Sequence, residues 1–524
     1  MDVVALSRLQ FALTVSFHFL FPPLTIGLSL VLIVLQTLRL ATGRAVYSEL
    51  ARFWTRVFGL IFAIGVATGI PLQFQFGTNW ARFARFVGDI FASPLAIEGI
   101  YAFFLESGFL ALLLFGWNRI RPAMHWLATV MVALGAHFSA IWILVANSWM
   151  QTPAGYHLAR RMTNGSELAE IPLPPDTVVK PSDLPEIRAV VHSFSEAIMN
   201  PSMLDRLTHT LLACWMTGAF LAVGVSAWWL LRGRHQQAAR TMMRIALTLA
   251  TVACLFQGLA GDATARGVAR RQPTKFAALE GLSHSGTHVG LSLFGWVGWQ
   301  RDADGAIVGI DTRAVRIPGL LSVLVSGDLL HPREAAATRV AGLADLPSED
   351  LLRRRHPGAS DAELARLRAE YWPNVPVVFQ TYHLMVALGV ALTALALVAS
   401  VMFWTGRLTE SRARLARWVL GLLVISPILA EIATQAGWMT AELGRQPWIV
   451  YEVLLTRDAV TGVIDARQVA TSVAMFVLVY SLLTFLFLTQ LLRLIVAGPA
   501  PAVTASDGSG RDVISLKSGH HGRT

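Results

Sequence analysis

SPLAIEGIYAFFLESGFLALLLFGW, residues 93–117, is the stretch that decides the fold. At about 1.5 Å of rise per residue it is long enough to cross the roughly 30 Å hydrocarbon core of a bilayer as a helix. It also carries two carboxylates, Glu98 and Glu106. An ionisable side chain at bilayer depth costs roughly 2.5–3.5 kcal/mol even on lenient insertion scales, so it turns inward onto a partner, a water file, an ion or a cofactor. Eight residues along a helix give a rise of about 12 Å and an offset of about 80°, so both carboxylates can face a bundle interior. Two in a file, with water between them, suit a proton relay.

The rest of the chain agrees with this reading. Hydrophobic residues make up 54% of 524 and charged residues 15%, with a mean hydropathy of +0.54. A soluble chain carries about 25% charge. The expected fold is an all-α polytopic membrane protein with about nine spans, near 11–38, 57–76, 94–117, 126–149, 208–231, 243–260, 376–404, 418–440 and 468–492. Arginine clusters in the short loops after spans one, three, five and seven: Arg39, Arg44, Arg52 and Arg56; Arg119 and Arg121; Arg232, Arg234, Arg240 and Arg244; Arg407, Arg412, Arg414 and Arg417. By the positive-inside rule these loops are cytoplasmic, which puts the N-terminus outside and the C-terminus inside. The net charge of +10 is thereby accounted for without nucleic acid, because the arginines mark loop ends rather than one face. The first apolar run is too long for a cleavable signal and no small-residue cleavage site follows it, so none is expected.

The chain divides into helices one to six (1–260, with an outer loop at about 151–207), an extracytoplasmic loop (261–375), helices seven to nine (376–494) and a cytoplasmic tail (495–524) expected to be disordered. The first outer loop contains IPLPPDTVVKPSDLP (171–185), a proline-rich stretch that reads as irregular. In the second, 348–373 reads as a charged amphipathic helix and 314–326 as an apolar segment too short to span. Long loops of this kind tend to be functional.

Cys214 and Cys254 are the only cysteines, and both fall inside spans. Disulfide scaffolds, cysteine-ligated zinc, iron–sulfur clusters and covalent haem attachment are unsupported. Any metal must rest on His, Met or carboxylate. His18 lies in span one, His209 opens span five and Met385 lies in span seven. A single membrane histidine is ordinarily a hydrogen bonder, and a membrane methionine is ordinarily packing. A His/Met pair from two helices is also a low-spin haem ligation.

The context that selects among these readings is a set of long strings in order: SRLQFALTVSFHFLFPPLTIG (7–27), GVATGIPLQFQFGTNW (65–80), VGDIFASPLAIEGIYAFFLES (87–107), WILVANSWMQTP (142–153) and AGWMTAELGRQPW (436–448). On these the chain resembles subunit I of the cytochrome bd quinol oxidases, over nearly its whole length. The resemblance implies nine helices with a quinol loop between helices six and seven. It implies His209 and Met385 as axial ligands of a low-spin haem b. His18 and Glu442 match the protein ligands of two high-spin haems, a second haem b and a chlorin-type haem d or a third haem b in its place. Glu98 matches the carboxylate beside the oxygen-reducing site and Glu106 the next member of the proton path. Trp438 and Arg445 match residues among the haems and their propionates. In RRQPTKFAALEG (270–281), Lys275 and Glu280 stand at the family's spacing for two quinol-site residues. Asp262 is a weaker candidate there. A glutamate can accept a quinol proton and a lysine can polarise the ring oxygen.

Three departures stand out. His383 replaces the family's arginine two residues before the ligand methionine, and is itself an alternative ligand. The loop through 155–190 is longer than expected. His284 and His288 sit four apart in the quinol loop, where Gly281, Gly286 and Gly290 oppose a helix and favour solvated side chains.

The function implied is quinol oxidation at the outer face, with oxygen reduced to water using cytoplasmic protons. The implied setting is a bacterial inner membrane, beside a homologous subunit II and a small single-helix subunit. Two rivals are a proton-coupled transporter using Glu98, Glu106 and Glu442, and a haem subunit that passes electrons without oxidising quinol. The transporter leaves the His/Met pair unexplained, and Lys275 and Glu280 argue against the second.

Overall fold

A computed structural model describes residues 2–164, 167–409, 413–500, 503–505 and 513–515. Among the described residues, nine helical crossings are long and apolar enough to span a membrane. The first is broken into α1 (Val3–His18) and α2 (Pro22–Thr42). The break has a covalent cause. Pro22 and Pro23 lack N–H donors, and their rings clash with the carbonyls one turn back, so the first helix cannot run past His18. The second crossing is α3 (Ala45–Thr78). A short α4 (Ala81–Phe86) leads to the third, built from α5 (Gly88–Ile97), a π-helical turn (Glu98–Phe103) and α6 (Phe104–Phe115). The fourth is α7 (Pro122–Gln151).

The segment after α7 folds into β1 (Tyr156–Asn164), β2 (Glu167–Pro172) and β3 (Ile187–Val191), an antiparallel sheet in the order β2-β1-β3, followed by α8 (Phe194–Ile198). Crossings five and six are α9 (Met203–Leu231) and α10 (Gln236–Arg271). The long loop holds α11 (Pro273–Glu280), the hairpin β4 (Leu291–Arg301) and β5 (Ile307–Ile317), and four short helices: α12 (Leu320–Ser326), α13 (Pro332–Ala335), α14 (Glu349–Arg355) and α15 (Asp361–Leu367). The last crossings are α16 (Val375–Trp404), α17 (Arg414–Leu443) and α18 (Ala466–Ala497), with a hairpin of β6 (Trp448–Val450) and β7 (Leu454–Leu455) after α17.

Several expectations need correction. Every span starts before its apolar run, and six of the nine also end after it; the third stops at Phe115, two residues short of the expected end. The sixth extends to Arg271, so the long loop starts at residue 272 rather than 261 and Asp262 lies in a helix, paired with Arg266 at 2.6 Å. Arg52 and Arg56 belong to the first turns of α3, and Arg240 and Arg244 to α10. The proline-rich stretch is irregular from Leu173 to Glu186, but the loop around it is ordered, because alternating residues of β1 and β3 close on the core under α5. The single amphipathic helix expected at 348–373 is two, since His356, Pro357 and Gly358 (φ 92°) stop the first and Ser360 caps the second. Within 314–326 only Leu320–Ser326 is helical, and Ala314–Ile317 ends β5. Residues 495–497 finish α18, and β8 (Val503–Ala505) pairs with β9 (Val513–Ser515); the remainder of the tail after residue 500 lies outside the described residues, as does Arg412.

The bundle is organised around α9, which packs on α2, α10 and α17. Its contact with α2 is backbone to backbone. A Cβ on Gly218 would stand 2.4 Å from the Gly27 carbonyl carbon, and one on Gly27 2.2 Å from the Cys214 carbonyl oxygen. Small residues permit such approaches in membranes, where packing rather than water exclusion drives helix association. Away from the long loop, Leu420, Leu423, Trp54, Phe58 and Trp229 fill a dry core. On the loop side, α1, α3 and α18 are joined by amides: Gln10 Nε2 donates to Ser472 Oγ (3.0 Å), Asn79 Nδ2 to Gln10 Oε1 (2.9 Å) and Gln75 Nε2 to Thr14 Oγ1 (2.8 Å).

Candidate functional site

The polar centre of the molecule lies where α7, α9, α11 and α17 meet on the loop side. Glu442, on the last turn of α17, accepts from Asn147 Nδ2 (2.9 Å) and Gln151 Nε2 (3.4 Å) on one oxygen and from Arg445 Nη2 (2.6 Å) on the other. Arg445 is 5% exposed, and its Nε and Nη1 are buried without an acceptor. Gln272 and Lys275 close the cluster. Lys275 Nζ donates to Gln151 Oε1 (2.7 Å) and Gln272 Oε1 (3.2 Å), and its stem lies over Gly444, where a Cβ would come within 2.7 Å of Lys275 Cε. Burial first, and then the neighbouring Arg206 charge, holds the Lys275 ammonium well below its usual range, against the pull of Glu442.

Glu280 lies at the other end of α11 and faces elsewhere. It is fully buried, accepts from the Ser292 N–H at 3.4 Å and from the Tyr382 hydroxyl, and has Arg316 nearby. Its Oε1 has no partner. Burial pushes its carboxyl up to about 7, the Ser292, Tyr382 and Arg316 interactions opposing. The expected pair is therefore not one site. Pro273 starts α11 and Gly281 (φ 62°) ends it, and five residues on an intervening helix turn the two side chains about 140° apart.

His18 closes α1, its Nδ1 3.1 Å from Thr68 Oγ1 and its ring 3.0 Å from where a Cβ on Gly69 would stand. Beside it, Gln435 Nε2 donates to the Ser16 carbonyl (3.0 Å) and Trp438 lies 6.4 Å, centroid to centroid, from Phe19. His209 sits against Gln257 Nε2 (3.2 Å from Nε2) and Gly261 of α10. Met385 lies against Gly437 of α17, where a Cβ would meet Sδ at 2.8 Å. His383 has both ring nitrogens against carbonyl oxygens, Phe379 O (2.8 Å) and Ser292 O (3.0 Å), so it presents no free lone pair for a metal. Glu98 opens the π-helical turn and accepts from Ser139 Oγ (2.8 Å), while Glu106 is buried on α6. The wide turn between them alters the 80° offset that a regular helix gives. His284 and His288 lie outside any helix.

Sequence reading passed over two groups that the structure brings forward. Tyr382 reaches Glu280 from α16. Glu431, a lone acid in SPILAEIATQ, has both carboxylate oxygens buried and unpartnered on α17. A lone acid within an apolar run is the signal that marks it.

The residues fit haem on two observations. Each of His18, His209 and Met385 faces a helical glycine, leaving no side chain opposite it on that face. Arg445 keeps two donors aimed at no protein acceptor, as carboxylate-bearing groups would require.

Fold and site together define a polytopic membrane oxidoreductase of the haem-bearing kind. The family model for cytochrome bd terminal oxidase subunit I matches residues 6–499, and the chain belongs to that family. It is 36% identical to cytochrome bd-II ubiquinol oxidase subunit 1 of Escherichia coli (strain K12), over 92% of this chain and 94% of that one. It is 32% identical to cytochrome bd ubiquinol oxidase subunit 1 of Bacillus subtilis (strain 168), over 94% of each. Among solved structures it is similar to bd oxidase from Geobacillus thermodenitrificans, with a TM-score of 0.74 and 29% identity over 95% of this chain and 99% of that one.

Proposed function

We propose that this chain is the quinol-oxidising, oxygen-reducing subunit of a bacterial terminal respiratory oxidase, working beside a subunit II. The observation that carries the reading is the Glu442–Arg445 cluster with its unsatisfied donors, closed over by α11. Haem, when bound, supplies the path for electrons and the iron at which oxygen is reduced. His209 and Met385 would hold a low-spin haem b, and His18 and Glu442 the two high-spin groups, a haem b and either haem d or a third haem b. Arg445 would pair with propionates and Trp438 would pack among them.

The protein's own part is proton chemistry. Quinol loses a proton with each electron. Glu280 is the acceptor we assign, since a carboxyl group near 7 can both take and release a proton at neutral pH. Its Oε1 is buried without a partner and so keeps an unused acceptor, and Tyr382 holds the group in place. Lys275 we assign to the Glu442 cluster, where it and Gln151 position the carboxylate. On the third crossing, Glu106 and then Glu98 would carry protons inward from the arginine-rich side, Ser139 orienting Glu98. The N-terminus would be outside, the long loop extracytoplasmic, and a single-helix subunit would complete the complex.

The test is a reduced-minus-oxidised spectrum with pyridine-haem analysis of the purified complex, beside quinol-driven oxygen uptake. Low-spin and high-spin signals with uptake support the proposal. A colourless protein overturns it.

A further inference from the structure

The mechanism above leaves one buried acid unused. Both oxygens of Glu431 are closed off within this chain and have no hydrogen-bond partner, so neither lipid nor a second subunit supplies one. No charged side chain among the described residues acts on it. Elements packed on α17 bring little that titrates. On α16 there are only Tyr382 and His383, at the loop end; on α9, Asp205, Arg206 and His209 in the first turns, then Cys214; on α1, Arg8 and His18. Cys214 is the titratable side chain of α9 that lies near Glu431. An unpartnered carboxyl group in this position pays the full cost of its burial and returns no structural bond. Gln or Leu would pack there at lower cost.

The surroundings point in one direction. Beneath Glu431 the helices are sealed by Leu420, Leu423 and Phe403. Toward the loop side, three and four residues on, the same face of α17 carries Thr434 and Gln435. Thr434 Oγ1 lies 3.2 Å from Thr217 Oγ1 of α9, and Gln435 reaches Ser16, two residues before His18. Glu431 is eleven residues, about 16 Å along the helix, from Glu442.

We infer that Glu431 is an internal proton station for the oxygen-reducing site, loading and unloading with the redox state through the Thr434–Thr217 hydroxyl pair and separate from the Glu98–Glu106 file. This rests on the oxidase reading above. Oxygen reduction consumes a proton with each electron that quinol supplies. On unloading, the Glu431 side chain turns toward Thr434, one turn on; the O–H bond of the acid breaks as one forms at the Thr434 oxygen, the O–H bond of Thr434 breaks as one forms at the Thr217 oxygen 3.2 Å away, and the proton that Thr217 gives up is taken by the oxygen being reduced to water. On loading, the sequence reverses.

The experiment compares wild type with Glu431→Gln, Glu431→Asp and Thr434→Val in the intact complex. Redox-difference infrared spectra in water and heavy water read carboxyl groups directly. Wild type should show a deuterium-sensitive carboxyl C=O band that Glu431→Gln loses and Glu431→Asp retains, shifted. Turnover should fall about a hundredfold in Glu431→Gln, the low end for a positioned proton-transfer group, with haem content unchanged and partial rescue in Glu431→Asp. Thr434→Val should keep the band and slow its appearance. If Glu431→Gln keeps every carboxyl band and normal turnover, the inference fails while the oxidase reading stands. If Glu431→Gln loses haem and Glu431→Asp shows no redox-sensitive band at all, Glu431 is structural and the inference also fails. A wild-type complex without haem or quinol oxidation would sink the underlying reading instead.

Discussion

Lys275 and Glu280 occupy opposite faces of one two-turn helix, the first closing over Glu442 and the second meeting Tyr382 and Ser292. Removing the two should therefore give different phenotypes. Lys275→Ala should disturb the high-spin absorption bands, because Gln151 then loses the Lys275 Nζ donor that fixes the amide facing Glu442. Glu280→Gln should leave the spectrum unchanged and lower quinol turnover by about a hundredfold or more. Spectra beside steady-state oxygen uptake separate the two, and identical defects would mean that α11 acts as one structural unit.

The pH dependence of quinol oxidation follows from Glu280. Its carboxyl sits at about 7 in the folded protein, so the accepting carboxylate forms as pH rises through that value, and turnover should rise with it. Tyr382→Phe removes a donor that favours the carboxylate, so the rising limb should move to higher pH. The stability sign is opposite. A raised carboxyl contributes its stability fully below the unfolded value near 4.5, and loses it as pH rises to about 7, a swing on the order of 3 kcal/mol. Glu280→Gln should flatten both profiles, as turnover and thermal denaturation across that window would record.

Met385→Leu should abolish the low-spin haem signal and leave the high-spin pair assembled. A thioether is the soft ligand proposed opposite His209, and His383 is occupied by two carbonyls. An unchanged low-spin band in the purified variant would refute the ligand assignment.

Glu106→Gln keeps the shape and hydrogen bonding of the side chain but carries no proton. Haem content and the first electron transfer should stay near normal while turnover slows strongly. Stopped-flow mixing of the reduced variant with oxygen should show early intermediates stalling at a proton-requiring step. Normal turnover with normal charge separation would mean that protons enter elsewhere.

Gly218→Val should prevent assembly. Its Cβ would fall 2.4 Å from the backbone of α2, and overpacking costs typically about 1–3 kcal/mol even where neighbours are side chains that can move. Here the neighbour is backbone. Loss of folded complex from detergent extracts is the readout.

The crossings were legible because each is an apolar run of bilayer length. Their ends were not, because polar turns such as those of Arg52 in α3 and Asp262 in α10 continue a helix without continuing its hydropathy. The Glu442 and Arg445 neighbourhood followed from a family string, and the structure pairs those two residues. Lys275 and Glu280 match the family's spacing for two quinol-site residues, and that spacing carries no information on the backbone between them. Proline at the start and glycine at the end of PTKFAALEG are the marks of a short capped helix, on which residues five apart diverge. Glu431 escaped because one acid in an apolar run has no spacing to read.

The interruption of the first crossing at Pro22 and Pro23 has a use beyond ending a helix. A helix that stops in mid-membrane leaves carbonyls in its final turn without partners, and no water is at hand to take them. One of these, at Ser16, is taken by Gln435 from α17. The strand of chain bearing His18 and the one bearing Glu442 are thus registered to each other by a single amide, as two rulers are by one shared notch. Lipid-facing residues on either helix can then vary freely, while the separation between the two halves of the site stays set.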